Sequence, residues 1–180
     1  MGNNNYWRQN LVLIQKKKIL ILQGGKNEEH KISLITGNEA GKALLNLGYD
    51  VSLLNVNPIT FKKDISTIRP DCCFNALHGP FGEDGQIQRI LFDLNIPFTH
   101  SGISASSKAF NKYLTKNCLK NTELNLLDSI VIPKTSISIK ILEELLNKFK
   151  SIVIKPVSSG SSYGVQILRS TKDAEKIIKN

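Results

Sequence analysis

The stretch Lys18-Ile19-Leu20-Ile21-Leu22-Gln23-Gly24-Gly25 is a short apolar run that halts at paired glycines. Such a run, bounded by a turn signal, fits a buried strand ending in a loop. Directly after it, Lys31 to Leu47 carries Ile32, Ile35, Ala40, Ala43, Leu44 and Leu47 at helical spacing, and Gly48 stops the run. Val51 to Val56 reads as the next strand, and Asp71 to Leu77, rich in Cys, Phe and Leu, as another. Gly79 to Gly85 holds three glycines and a proline, so it is loop. Gln86 to Leu94 then reads as helix and Ile96-Pro97-Phe98-Thr99 as a short edge strand. Strands alternating with helices predict an α/β domain with a mostly parallel sheet.

Further along, the spacing predicts a helix over Ser104 to Leu119, a strand near Ile130 to Ile132 and an amphipathic helix over Ile139 to Phe149. Ser151 to Lys155 is a strand, Pro156 to Gly164 a Gly/Ser loop, and Val165 to Leu168 a returning strand. Ser170-Thr171-Lys172-Asp173 can cap a last helix through Ile178. A two-stranded ribbon is marginal by itself, so the chain is expected to be cut short. The expected layout is a polar extension over residues 1–16, an N-terminal α/β domain over 17–103, and a partial second domain over 104–180.

Composition narrows the function. The 180 residues carry 24 Lys plus Arg against 15 Asp plus Glu, a formal charge of +9, with 41% hydrophobic residues. That is ordinary globular usage, and no apolar run is long enough to span a bilayer. Met1-Gly2-Asn3-Asn4-Asn5-Tyr6 lacks the Ser or Thr of a myristoylation signal, and Leu11 to Ile14 is too short for a secretory signal. The lysines are spread from Lys16 to Lys179 without interleaved aromatics, which argues against a nucleic-acid stripe. Three cysteines without metal-ligand spacing fit reduced thiols in a cytoplasm-like compartment.

Three loops carry chemistry, and each follows a strand. In Gly24-Gly25-Lys26-Asn27-Glu28-Glu29-His30, paired glycines let the backbone approach a ligand beside a helix start that favours anions; a tight connection explains the same residues. In His78-Gly79-Pro80-Phe81-Gly82-Glu83-Asp84-Gly85, a histidine precedes a glycine turn with adjacent carboxylates, which packing alone hardly explains; a solvated acidic turn fits the same residues equally well. In Lys155-Pro156-Val157-Ser158-Ser159-Gly160-Ser161-Ser162, a strand-end lysine precedes N–H donors suited to polyphosphate oxygens. The lysine comes before the glycines, so this is not a Walker loop.

Together, and in this order, the three loops resemble those of the D-alanine–D-alanine ligases of the ATP-grasp superfamily. The resemblance implies a Rossmann-like pre-ATP-grasp domain followed by the first lobe of an ATP-grasp α+β module. It implies that ATP phosphorylates one D-alanine and that the amine of a second attacks the acylphosphate, in peptidoglycan precursor synthesis in a bacterial cytoplasm. Such phosphoryl transfer depends mostly on alignment and charge neutralisation. By position, Glu29 matches the acidic residue that orients the first D-alanine's ammonium, and His78 the histidine near its carboxylate. Lys116 and Lys155 match lysines on the ATP phosphates, Ser161 the serine that locks the Gly/Ser loop, and Ser162 stands beside it as a nucleotide contact. The three loops are then expected to face one pocket, and homodimerisation is expected through the N-terminal domain.

The chain departs from the pattern at Asn27, Lys31, Asn111 and Ser159, where the family usually has Ser, Glu, Asp and Glu. The family's adenine hinge, its Mg²⁺ (or Mn²⁺) ligands and most of its second D-alanine site are not found in residues 1–180, so no metal ligand is assigned and the chain alone is expected to be inactive. Ligases that use D-lactate or D-serine as second substrate, and a non-catalytic ligase remnant, remain as alternatives.

Overall fold

The computed structural model describes residues 16–179, the side chain of Lys179 excepted. The polar extension expected over residues 1–16 lies outside these except for Lys16, which is exposed. The chain forms two compact units, one of residues 16–77 with Arg89–His100 and one of His78–Gln88 with residues 101–179. Among the described residues no helix is long and apolar enough to cross a membrane.

In the first unit the strands β1 (Lys18–Gly24), β2 (Asp50–Val56) and β3 (Cys72–Asn75) form a parallel sheet in the order β2-β1-β3. β1 is central, with Ile21 opposite Leu53 on one side and Phe74 on the other. A central parallel strand is covered on both faces, which is why its apolar run is continuous; Leu20, Ile21 and Leu22 are all buried. The helix α1 (His30–Asn46) connects β1 to β2. Its buried face is Ser33, Gly37 and Gly41, whereas Ile32 and Ile35 are 56% and 60% exposed. The apolar periodicity therefore marks the outer side. Small residues face the sheet because the helix lies close to it: a Cβ on Gly37 would stand 2.2 Å from Gln23 Oε1.

Between β2 and β3 runs α2 (Phe61–Ile68), which the sequence reading passed over. Phe61 and Ile65, one turn apart, are both fully buried, and the Thr60 hydroxyl donates to Asp64 Oδ2 at 2.7 Å. The helix α3 (Gln86–Asp93) matches its expectation and buries Ile87 and Leu91. The edge strand expected at residues 96–99 is reduced to one parallel bridge, Cys73 with Phe98. Proline at 97 supplies no N–H, so the ladder there consists of Cys73 N–H donating to Pro97 O and Thr99 N–H to Cys73 O.

In the second unit the single helix expected over Ser104 to Leu119 is two, α4 (Ile103–Phe110) and α5 (Lys112–Leu119). Asn111 stands between them in an extended conformation, and its Oδ1 accepts from Tyr113 N and Leu114 N. An Asn side chain that caps a new helix competes with continuing the old one. The strand expected at Ile130 to Ile132 is irregular coil; Ile130 is 63% exposed and no ladder partner reaches it among the described residues.

The helix α6 (Ile139–Phe149), capped by Ser138, leads into β4 (Ile152–Ile154), β5 (Gln166–Leu168) and α7 (Thr171–Lys179). β4 and β5 pair antiparallel, and their inner face packs Ile152, Ile154 and Leu168 with Leu142, Leu146 and Ala174. The expected cap of α7 is present: Ser170 Oγ accepts Asp173 N at 3.3 Å, and Asp173 Oδ2 accepts Ser170 N at 3.0 Å.

Candidate functional site

The β1–α1 turn begins with Gly24 and Gly25 at φ 83° and 87°, values that favour glycine. His30 Nδ1 is 2.8 Å from the Gly25 carbonyl, a contact in which the ring nitrogen donates. Glu29 occupies the N-cap position of α1, and its N–H donates to Asn27 Oδ1 at 2.9 Å. One helical turn on, the fully buried Ser33 hydroxyl accepts from Gly24 N at 2.8 Å and donates to Ala76 O at 2.7 Å. This hydroxyl joins the ends of β1 and the β3 segment. It was not singled out from the sequence, where a lone serine among apolar helix residues carries no signal.

His78 opens the second loop, with its Nδ1 3.7 Å from Glu83 Oε1. Glu83 Oε2 accepts from Gly79 N at 2.8 Å, and Glu83 N–H donates back to Gly79 O at 3.0 Å. Asp84 Oδ2 accepts from Phe81 N at 3.0 Å, and the buried Gln88 Nε2 donates to Gly82 O at 2.8 Å. The two carboxylates read from the sequence thus have separate tasks. Glu83 braces the turn beside His78, and Asp84 closes its far side.

Lys155 follows β4 and is exposed. Ser161 and Ser162 hold φ of 44° and 58°, which bends the loop after Gly160 into a left-handed turn. The break at Asn111 docks this loop. Asn111 bridges Ser158, Lys112 N–H donates to Val157 O at 3.0 Å, and Lys112 Nζ donates to Ser159 O at 2.7 Å. Burial and then the nearby Lys155 charge pull the Lys112 ammonium below the usual lysine range. Among the described residues neither lysine pairs with a carboxylate. Lys116, one turn further along α5, donates its ammonium to the Leu127 carbonyl. Of the residues named from the sequence, Glu29 belongs to the first unit, and His78, Lys116, Lys155, Ser161 and Ser162 to the second. Lys112 was missed as a site residue because its signal is spatial: only the helix break carries it to Lys155.

Two uncompensated ammonium groups beside a loop rich in N–H donors can hold a polyanion. Among the described residues no three His, Cys, Asp or Glu side chains cluster around a common point.

No family model matches the chain. It is 41% identical over 156 residues to a D-alanine–D-alanine ligase of Chelativorans sp. (strain BNC1), covering 87% of this chain and 49% of that one. Its fold superposes on the crystal structure of D-alanine–D-alanine ligase from Bacillus anthracis with a TM-score of 0.77 at 29% identity, covering 91% of this chain and 53% of that one. The same Bacillus anthracis enzyme complexed with ATP gives a TM-score of 0.73 at 28% identity, covering 91% and 54%. In sequence and in fold, the chain is homologous to the D-alanine–D-alanine ligases and spans about half the length of the curated relatives it matches.

Proposed function

We propose that this chain forms part of an ATP-dependent ligase that joins two D-alanine molecules through an acylphosphate, for peptidoglycan precursor synthesis in the cytoplasm. The observation that carries the reading is the Lys112–Lys155 pair beside the Ser/Gly loop, unbalanced by any carboxylate among the described residues, in a homologue of such ligases. Lys155 and Lys112 hold the nucleotide's phosphates, and Ser161 and Ser162 present the loop to them. Lys116 belongs to the same phosphate set by its match to the family pattern, and its ammonium donates here to the Leu127 carbonyl. Glu29, at the start of α1, orients the ammonium of the first D-alanine. His78, braced by Glu83, faces its carboxylate. Mg²⁺ or Mn²⁺ accompanies the nucleotide in this reading, with its protein ligands expected outside residues 1–180.

Calorimetric titration of the 180-residue chain with ATP tests the phosphate reading. Lys155→Ala is expected to weaken binding by about tenfold, roughly 1.4 kcal/mol. Unchanged affinity would remove Lys155 from the site.

A homodimer through the first unit accompanies this reading. The outer face of α1, with Ile35 and Leu45, and Leu53 of β2 expose apolar surface of the kind that a second copy covers. Sedimentation velocity is expected to show a dimer that Ile35→Asp converts to monomer. A monomeric wild-type chain would end the dimer reading.

A further inference from the structure

We propose that His30 is a positioning residue for the ammonium site of the first D-alanine: its ring, held in the Nδ1–H form, fixes the Gly25 carbonyl and with it the turn that presents Glu29. The proposal deepens the reading of Glu29 above and rests on it for the substrate.

Residues 25–29 join β1 to α1, and different groups tie the two ends of this turn. At the entry Gly24 N–H donates to the buried Ser33 hydroxyl at 2.8 Å. At the exit Glu29 N–H donates to Asn27 Oδ1 at 2.9 Å, and His30 N–H to Asn27 O at 3.2 Å. Gly25 lies between these ties with φ 87°, in a region that favours glycine. Its carbonyl is held by the half-buried ring, His30 Nδ1 donating at 2.8 Å. Gly24 makes room for the same ring: a Cβ there would stand 3.3 Å from His30 Cε1 and 3.5 Å from Nδ1. The paired glycines thus serve a side chain of their own chain. One leaves space for the imidazole and the other supplies its acceptor.

Without that bond the Gly25 peptide has the widest choice of orientations in the turn, and the step from β1 to Glu29 loses its fixed direction. Ser33 does not replace the bond, because its hydroxyl grips Gly24, on the strand side of Gly25. A carbonyl only accepts, so Nδ1 must carry the proton. In the neutral ring Nε2 is then bare, since the bond made by one ring nitrogen sets the state of the other. The turn therefore requires a donor at the δ position of residue 30. Asparagine can place its amide nitrogen there, whereas leucine places only carbon.

Two measurements on the 180-residue chain test this. Long-range proton–nitrogen NMR correlation of the imidazoles, at a pH where they are neutral, is expected to show His30 protonated at Nδ1 and bare at Nε2. Titration with D-alanine, followed by the amide shifts of residues 25–30, is expected to show His30→Leu binding about fivefold more weakly. His30→Asn is expected to stay near the wild type, and Glu29→Gln to bind more weakly than either. An Nε2–H ring overturns the proposal, as does His30→Leu at wild-type affinity or His30→Asn as weak as His30→Leu. These results leave the Glu29 reading standing as long as Glu29→Gln weakens binding. Unchanged affinity in Glu29→Gln overturns the Glu29 reading and the link from His30 to it. A wild-type chain that does not bind D-alanine does the same, and the tautomer then decides the Gly25 tie by itself.

Discussion

The C-terminal edge of the parallel sheet and the Ser/Gly loop are both fastened by polar ties, but of different chemistry. At the sheet edge the ties are neutral: Ser33 between Gly24 and Ala76, Gln23 Nε2 donating to Asn55 Oδ1 at 3.0 Å, and Leu77 N–H donating to Asn75 Oδ1 at 3.2 Å. Around the second unit's loops many ties are charged: Lys112 on Ser159, Lys116 on Leu127, Glu83 on Gly79 and Asp173 on Ser170. Ser33, Gln23 and Asn75 are buried, and a buried charge without a partner costs far more than a buried hydroxyl with two. The second unit's ties stand nearer water, where a charged group costs less to hold. One region is therefore sealed from water and the other open to it.

Ser33→Ala tests the sealed side and carries the largest expected effect. It leaves Gly24 N–H and Ala76 C=O without the hydroxyl between them, which costs about 3 kcal/mol for two buried groups. Native-state hydrogen exchange of the β1 amides is expected to speed accordingly, with residues 159–165 unaffected. A loss below about 1 kcal/mol would mean that water replaces the hydroxyl, and the contrast between a sealed edge and an open loop would collapse.

How far the sequence foretold this division depends on the kind of signal. β1, β2, α1, α3, α6 and the β4–β5 ribbon were legible because period and glycine stops are local properties. The inner face of α1 was not, because Ser33, Gly37 and Gly41 have no hydropathy to mark them; only the sheet's proximity makes small residues the packing face. The break at Asn111 was hidden for a similar reason. Its neighbours keep helical spacing, and what stops the helix is a cap joined to a bridge with Ser158, 47 residues along the chain from Asn111. Loop positions such as His78 and Lys155 could be read because glycine clusters announce them. Lys112 could not, since its role arises from where the break points it.

Cys73 gives a smaller but cleaner measure of how strictly the first unit excludes charge. The residue is fully buried on β3. Burial, and secondarily the neighbouring Cys72, push its thiol up to about 12 from an ordinary value of 9.0. In the unfolded chain the same thiol ionises near its ordinary value. Below pH 9.0 both states keep the proton and stability is intact; above it only the unfolded chain loses the proton, so stability falls until the folded thiol ionises near 12. By pH 10 this amounts to about 1.4 kcal/mol. Urea unfolding followed by circular dichroism at pH 8 and pH 10 is expected to show that loss in the wild type over and above any seen in Cys73→Ala, where the titrating group is gone and the other ionisations are shared. Equal pH dependence in the two proteins would mean that the folded thiol ionises as readily as the unfolded one. β3 would then tolerate a charge, and the sheet edge would be no more sealed than the loop.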